Sequence, residues 1–218
     1  MHKSLINLQE IREEIYSKSG DDNKSVKIIA VTKTFQMDKI VPLINDRHIH
    51  FGENKVQEAV KKWTSVKPLK KDLKLHMIGQ LQTNKVKYVI PLFDYIHSLD
   101  SLKLAEKISV EQKKNDKNLK IFIQVNIGKE KQKGGVEVEE VKNFYDICRS
   151  KFNLNIIGLM CIPPNELDIT KYFSSLKNLN DTLGLNELSM GMSSDYMDAI
   201  NHGSTYVRIG SKIFGSRT

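Results

Sequence analysis

The stretch VKIIAVTK, residues 26–33, runs four apolar residues, Ile28 to Val31, almost directly into Lys33. An amine at the end of a strand that reads as fully buried has two uses. It can pair with a carboxylate from a neighbouring strand end, such as Glu53. Alternatively, because burial disfavours its charged form, it can act as a neutral nucleophile toward an aldehyde or ketone. Two later segments carry a different chemistry. In MGMSSD, 190–195, Gly191 lets the chain approach a neighbour closely, and Ser193 and Ser194 supply hydroxyls and a helix cap. In RIGSKIFG, 208–215, Arg208 precedes the unobstructed amides of Gly210 and Ser211. Phosphate is the anion such turns hold, although a plain structural turn uses the same residues.

The elements that must position these groups alternate along almost the whole chain. Strand-length apolar runs (VKIIAVTK, HIHFGEN, LKLHMIGQ, YIHSLD, LKIFIQVNI, NIIGLMCI, ELSMGM, YVRIG) are separated by amphipathic helical patterns. Val56, Ala59, Val60 and Trp63 share one helical face, and Val138, Val141, Tyr145, Cys148 and Phe152 share another. An extra N-terminal helix carries Leu5, Leu8, Ile11 and Ile15 on one side. Eight strand–helix units predict a (β/α)8 TIM-type barrel in one domain, residues 1–218, led by that extra helix. The alternative, an open doubly wound sheet, usually shows a glycine-rich first βα turn, and TKTFQMD has no glycine.

A closed barrel sets the first strand beside the eighth. Two-residue alternation then puts Ile29, Val31 and Lys33 on one face, and Tyr206, Arg208 and Gly210 on the face next to it. If both faces point inward, Lys33 and Arg208 share the barrel mouth with the turns that follow strands seven and eight, where barrels often hold phosphate. Pyridoxal 5′-phosphate (PLP) joins an aldehyde and a phosphate in one molecule. Arg208 opposite its pyridine nitrogen would leave that nitrogen unprotonated, because guanidinium only donates, and the ring would be a poor electron sink. A salt bridge inside the barrel is the other reading of Arg208.

Composition narrows the remaining classes. The chain has 218 residues, a net charge of +8 and only two cysteines, Cys148 and Cys161, both in apolar patterns that read as core. No signal peptide and no membrane-length apolar run is recognisable, so a cytoplasmic protein without a membrane is expected. The positive charge raises nucleic acid as a partner, but lysines alternate with acids, as in EKISVEQKK, and aromatics are not interleaved with them, so no specific nucleic-acid binding is expected. No metal site is expected.

With these residues in hand, the chain resembles the PLP homeostasis protein family, single-domain barrels similar to the N-terminal domain of alanine racemase. The resemblance is carried by AVTKT (30–34), HFGENKVQE (50–58), HMIGQLQTNK (76–85), QVNIGKEKQKGG (124–135), GLMCIPP (158–164) and LSMGMSSDYMDAINHGSTYVRIGSKIFG (188–215). It implies Lys33 as the internal-aldimine lysine, Ser193, Ser194, Gly210 and Ser211 around the phosphate, and Arg208 facing the pyridine nitrogen. Asn54, His76 and Met160 are implied to line the ring pocket. It further implies a PLP-binding role in vitamin B6 homeostasis without strong catalysis, PLP-accepting apo-enzymes as partners, and a monomer. The related racemases add a second domain that supplies a tyrosine, and here the chain ends at Thr218 just after strand eight. Where many relatives follow AVTKT with lysine and proline, this chain has Phe35-Gln36. The alternatives are a small PLP-dependent amino-acid racemase, a cofactor-free Schiff-base aldolase, and a nucleic-acid-binding module.

Overall fold

The structure, a computed structural model, describes residues 2–19, 26–130, 132, 134–166 and 168–215. Parts of the charged loop at 128–135 and the chain end at Thr218 lie outside the described residues. Eight parallel strands close into a barrel in chain order. They are β1 (Lys27–Val31), β2 (His50–Glu53), β3 (Lys74–Met77), β4 (Tyr95–Leu99), β5 (Lys120–Gln124), β6 (Ile156–Met160), β7 (Glu187–Ser189) and β8 (Tyr206–Ile209). The helices are α1 (Lys3–Ser19), α2 (Met37–Asn45), α3 (Val56–Trp63), α4 (Val86–Val89), α5 (Leu102–Asn115), α6 (Val141–Ser150), α7 (Thr170–Thr182), α8 (Tyr196–Asn201) and α9 (Ser211–Phe214). This is the barrel the alternation predicts, with α1 packed against α2 and α9.

The outward residues of the strands and the inner stripes of the helices form one large core. On α3 the buried residues Val56, Ala59 and Trp63 lie one turn apart, so a single face meets the sheet. Ser101 caps α5 by accepting from the Leu104 amide at 3.4 Å. Both cysteines are buried, and burial pushes the Cys148 thiol up to about 12. A second, smaller cluster of Ile29, Tyr95, Phe122, Met160 and Tyr206 fills the barrel interior.

Gly158 is a tight point of closure. A Cβ there would sit 1.8 Å from the Glu187 carbonyl oxygen, the residue opposite it on β7. Backbone in a closed barrel has nowhere to retreat. Gly158→Ala is therefore expected to destabilise the fold by about 3 kcal/mol, read as a lowered urea midpoint. An unchanged midpoint would show that β6 and β7 can part.

Candidate functional site

The C-terminal ends of β1, β2 and β8 and the turn after β7 surround a cavity of about 330 Å³, large enough for one small ligand. Lys33, Asn54, Ser193, Ser194, Arg208, Gly210 and Ser211 all line it. His76 and Met160 do not. Both are fully buried in the barrel interior, with Met160 among the inner apolar cluster and His76 stacked on Tyr95.

Lys33 arrives differently from its sequence reading. The strand ends at Val31, and Lys33 stands half-buried in the turn that follows, whose next residue, Thr34, has φ +68°. That turn is built by a residue that no local pattern singles out. Lys62 on α3 donates to the carbonyls of Thr32 (2.7 Å) and Phe35 (3.3 Å) and pairs with Glu53 (2.7 Å) and Glu58 (2.8 Å). Glu58 in turn accepts from the Thr34 amide at 2.6 Å. Glu53, the carboxylate considered as a partner for Lys33, points away toward α3. Its Oε1 also accepts from Thr32 (2.7 Å) and Trp63 (2.9 Å). Phe35 packs on Phe214, ring centroids 4.8 Å apart, and so forms an apolar lip.

Arg208 is buried, and its strand partner on β1 is Ile29, as the barrel closure predicts. Its Nη1 donates to the Ser189 carbonyl (2.6 Å) and to Ser189 Oγ (2.7 Å), and its Nη2 donates to the Cys161 carbonyl (2.8 Å). Burial lowers its pKa, but a guanidinium keeps its charge. No carboxylate pairs with it among the described residues, so the salt bridge considered for it gives way to neutral acceptors.

Just beyond Arg208, the Gly210 and Lys212 amides both converge on Ser193 Oγ, at 3.3 and 3.4 Å. A Cβ on Gly210 would meet only Val31, at ordinary contact distance, so packing does not demand glycine there. Gly191 differs: with φ +91°, its missing side chain admits Ala199 and Tyr196 of α8, so its close approach is to a helix. Asn54 Oδ1 is buried in the cavity wall with no hydrogen-bond partner among the described residues. A buried acceptor left so costs roughly 1–3 kcal/mol, a deficit that a donor within the cavity would remove.

The interior beneath the cavity is polar to a degree that composition does not reveal. His50, His76 and His97 occupy inward positions on β2, β3 and β4 and touch in series. His50 Nδ1 lies 2.9 Å from His76 Nε2, His76 Nδ1 2.9 Å from His97 Nε2, and His97 Nδ1 2.8 Å from Ser189 Oγ. Burial, then the neighbouring cations, holds His50 down at about 4, and burial holds His76 and His97 well below the ordinary range. The period-2 pattern of the three strands was the available signal, since it sets all three rings on one face.

A family model described as the alanine racemase N-terminal domain matches residues 6–218. A pyridoxal phosphate homeostasis protein of Aquifex aeolicus is 41% identical, over 92% of this chain and 91% of its own length. The structure of PipY from Synechococcus elongatus with PLP bound is 30% identical, with a TM-score of 0.86, and covers 98% of this chain and 100% of that one. An alanine racemase of Clostridium difficile shares the fold, with a TM-score of 0.75 at 14% identity, over 99% of this chain and 57% of the racemase.

Proposed function

This chain belongs to the pyridoxal phosphate homeostasis protein family, built on the alanine racemase N-terminal domain, and from that premise we propose that it binds PLP in the cavity above Arg208 and serves PLP homeostasis. The observation that carries this reading is the meeting of Lys33, Arg208 and the turns at Ser193 and Gly210 in one cavity. PLP supplies an aldehyde that condenses with amines and a pyridine ring that draws electrons from what is attached to it. Lys33 would hold the carbonyl end. Ser193, Ser194, Gly210 and Ser211 would hold the phosphate, with the two amides that now meet Ser193 Oγ available to it. Arg208 would face the ring nitrogen and keep it unprotonated, because its N–H groups only donate. Asn54 would accept from a ring substituent. His76 and Met160, one step inside, would support the ring pocket rather than line it.

The same geometry supports a carrier rather than a racemase. Among the described residues that line the cavity there is no tyrosine, histidine or carboxylate, hence no second proton-transfer group opposite Lys33. The rim carries Ile162 and Met192, both more than a third exposed, an apolar margin suited to contact with PLP-accepting apo-enzymes. We place the protein in the cytoplasm as a monomer. No helix among the described residues is long and apolar enough to cross a membrane.

Two measurements test this reading. Titration with PLP and with pyridoxal should show binding at least about tenfold weaker without the phosphate, and Ser193→Ala should narrow that gap. Equal affinity for both would remove the phosphate site. Incubation with L-alanine in deuterated water should leave the α-proton in place, and exchange at enzymatic rates would favour the racemase.

A further inference from the structure

The three histidines, Ser189 and Arg208 form a continuous hydrogen-bonded file through the barrel, from the end where the strands begin to the cavity where they finish. Its slope follows from register. His76 pairs with Gly52, two residues beyond His50 on β2, and His97 lies two residues beyond Tyr95, the partner of His76. Each ring therefore stands one inward layer higher than the last. His76 stacks on Tyr95 with ring centroids 4.1 Å apart, and His97 stacks on Phe122 at 4.3 Å, so neither ring is free to turn aside.

The file has a direction, and Arg208 sets it. A guanidinium donates and never accepts, so Ser189 Oγ must accept from Nη1. Ser189 is fully buried, and its hydroxyl hydrogen needs an acceptor. His97 Nδ1, at 2.8 Å, is the acceptor within reach among the described residues. His97 then carries its hydrogen on Nε2 and donates it to His76 Nδ1. His76 likewise donates from Nε2 to His50 Nδ1. The reverse order would leave the Ser189 hydroxyl buried without an acceptor. His48, outside the file, obeys the same logic. Its Nε2 faces the His50 carbonyl, which can only accept, and its Nδ1 faces Arg12 at 3.3 Å.

We propose that His97 and His76 are positioning residues for Arg208, holding Ser189 as its acceptor through a one-way file of neutral Nε2–H tautomers that ends at His50. The file is independent of any ligand, whereas its benefit to a bound ring rests on the PLP reading above. Its far end is enclosed by Lys27 on β1, Lys74 on β3, Asp94 before β4 and Lys120 on β5. His48 adjoins it, and Tyr95 and Tyr206 lie beside it, with Glu187 held by Lys27. A proton added to His50 Nδ1 would meet the His76 Nε2–H, so it can settle only if the whole file turns over and Ser189 loses its acceptor. The lower mouth of the barrel is thereby coupled to the orientation of Arg208. Burial and the three cations keep that proton off near neutrality.

Long-range ¹⁵N–¹H spectra of the imidazoles, taken on the ligand-free chain at pH 7, test the file directly. All three rings should be neutral with hydrogen on Nε2. A ring protonated on Nδ1, or a cationic ring, overturns the proposal. Two variants then test positioning. His97→Leu removes both contacts and should weaken PLP binding about tenfold while borohydride still fixes the cofactor on the same lysine. His97→Gln keeps one acceptor and one donor and should stay within about threefold of the parent. Equal weakening by both variants, or by neither, refutes the positioning role. A chain that bound no PLP would defeat the functional reading yet leave the spectra decisive for the file. Should His97→Leu fail to fold, the spectra and His97→Gln, which must remain close to the parent, decide.

Discussion

Replacing Lys33 by alanine is expected to abolish covalent capture of PLP. Borohydride treatment of the parent chain should leave the cofactor attached to the peptide that contains Lys33. The variant should retain roughly a hundredfold less, because a positioned amine outcompetes a free one by a large effective concentration. Neighbouring lysines are poor substitutes. Lys62 Nζ is held by two carboxylates and two carbonyls, and Lys212 Nζ is held by Glu14 and the Tyr196 hydroxyl, each at 2.7 Å. The fold should survive, since Lys33 sits half-buried in a turn and contributes no apolar core. Weak noncovalent binding should also survive, because Arg208 and the turns at Ser193 and Gly210 are untouched. Undiminished trapping in the variant, or trapping in the parent on another lysine, would remove Lys33 from the site.

Mild acid is expected to destabilise the protein steeply, and the buried imidazoles are the reason. Burial lowers His48 to about 3 and His50 to about 4, and sends His76 and His97 well below the ordinary value of 6.5. Unfolded, all four titrate near 6.5, so below that pH the unfolded chain binds protons that the folded chain refuses. Stability is therefore complete above the unfolded value and is lost as pH falls from 6.5 toward 4. Each ring contributes a slope approaching about 1.4 kcal/mol per pH unit, so the four together should remove about 5 kcal/mol between pH 7 and pH 5.5. That is comparable to the whole stability of a typical domain. Urea midpoints at the two pH values measure it. His48→Gln should reduce the loss by about a quarter, since His48 lies outside the three-ring file and its removal leaves that file standing. A flat profile across this window would mean that the imidazoles are hydrated or already charged in the fold.

Much of the candidate site was legible in the residues. Alternation of apolar strands with amphipathic helices implied a closed barrel, and closure alone set Lys33 beside Arg208. β1 pairs with β8, and Lys33 and Arg208 line one cavity. The serine and glycine turns after β7 and β8 were legible as well, because in a barrel strand order dictates where a loop emerges. His76 and Met160, implied by resemblance to line the ring pocket, lie buried in the barrel interior and are not among the residues that line the cavity. The Phe35-Gln36 departure proved to be an apolar lip closed by Phe214, a contact between residues 179 positions apart that no local pattern contains.

Local periodicity by itself decided the elements, their order and the inward face of each strand, because those depend on which residues prefer water and on a spacing of two or 3.6. Tertiary structure alone decided that the first strand ends at Val31, that Lys62 gathers two carboxylates and two carbonyls to shape the turn bearing Lys33, and that three histidines from separate strands meet Ser189 end to end. Those outcomes depend on register and on hydrogen-bond direction across the barrel. Both are settled only when the chain closes and every buried donor must find an acceptor.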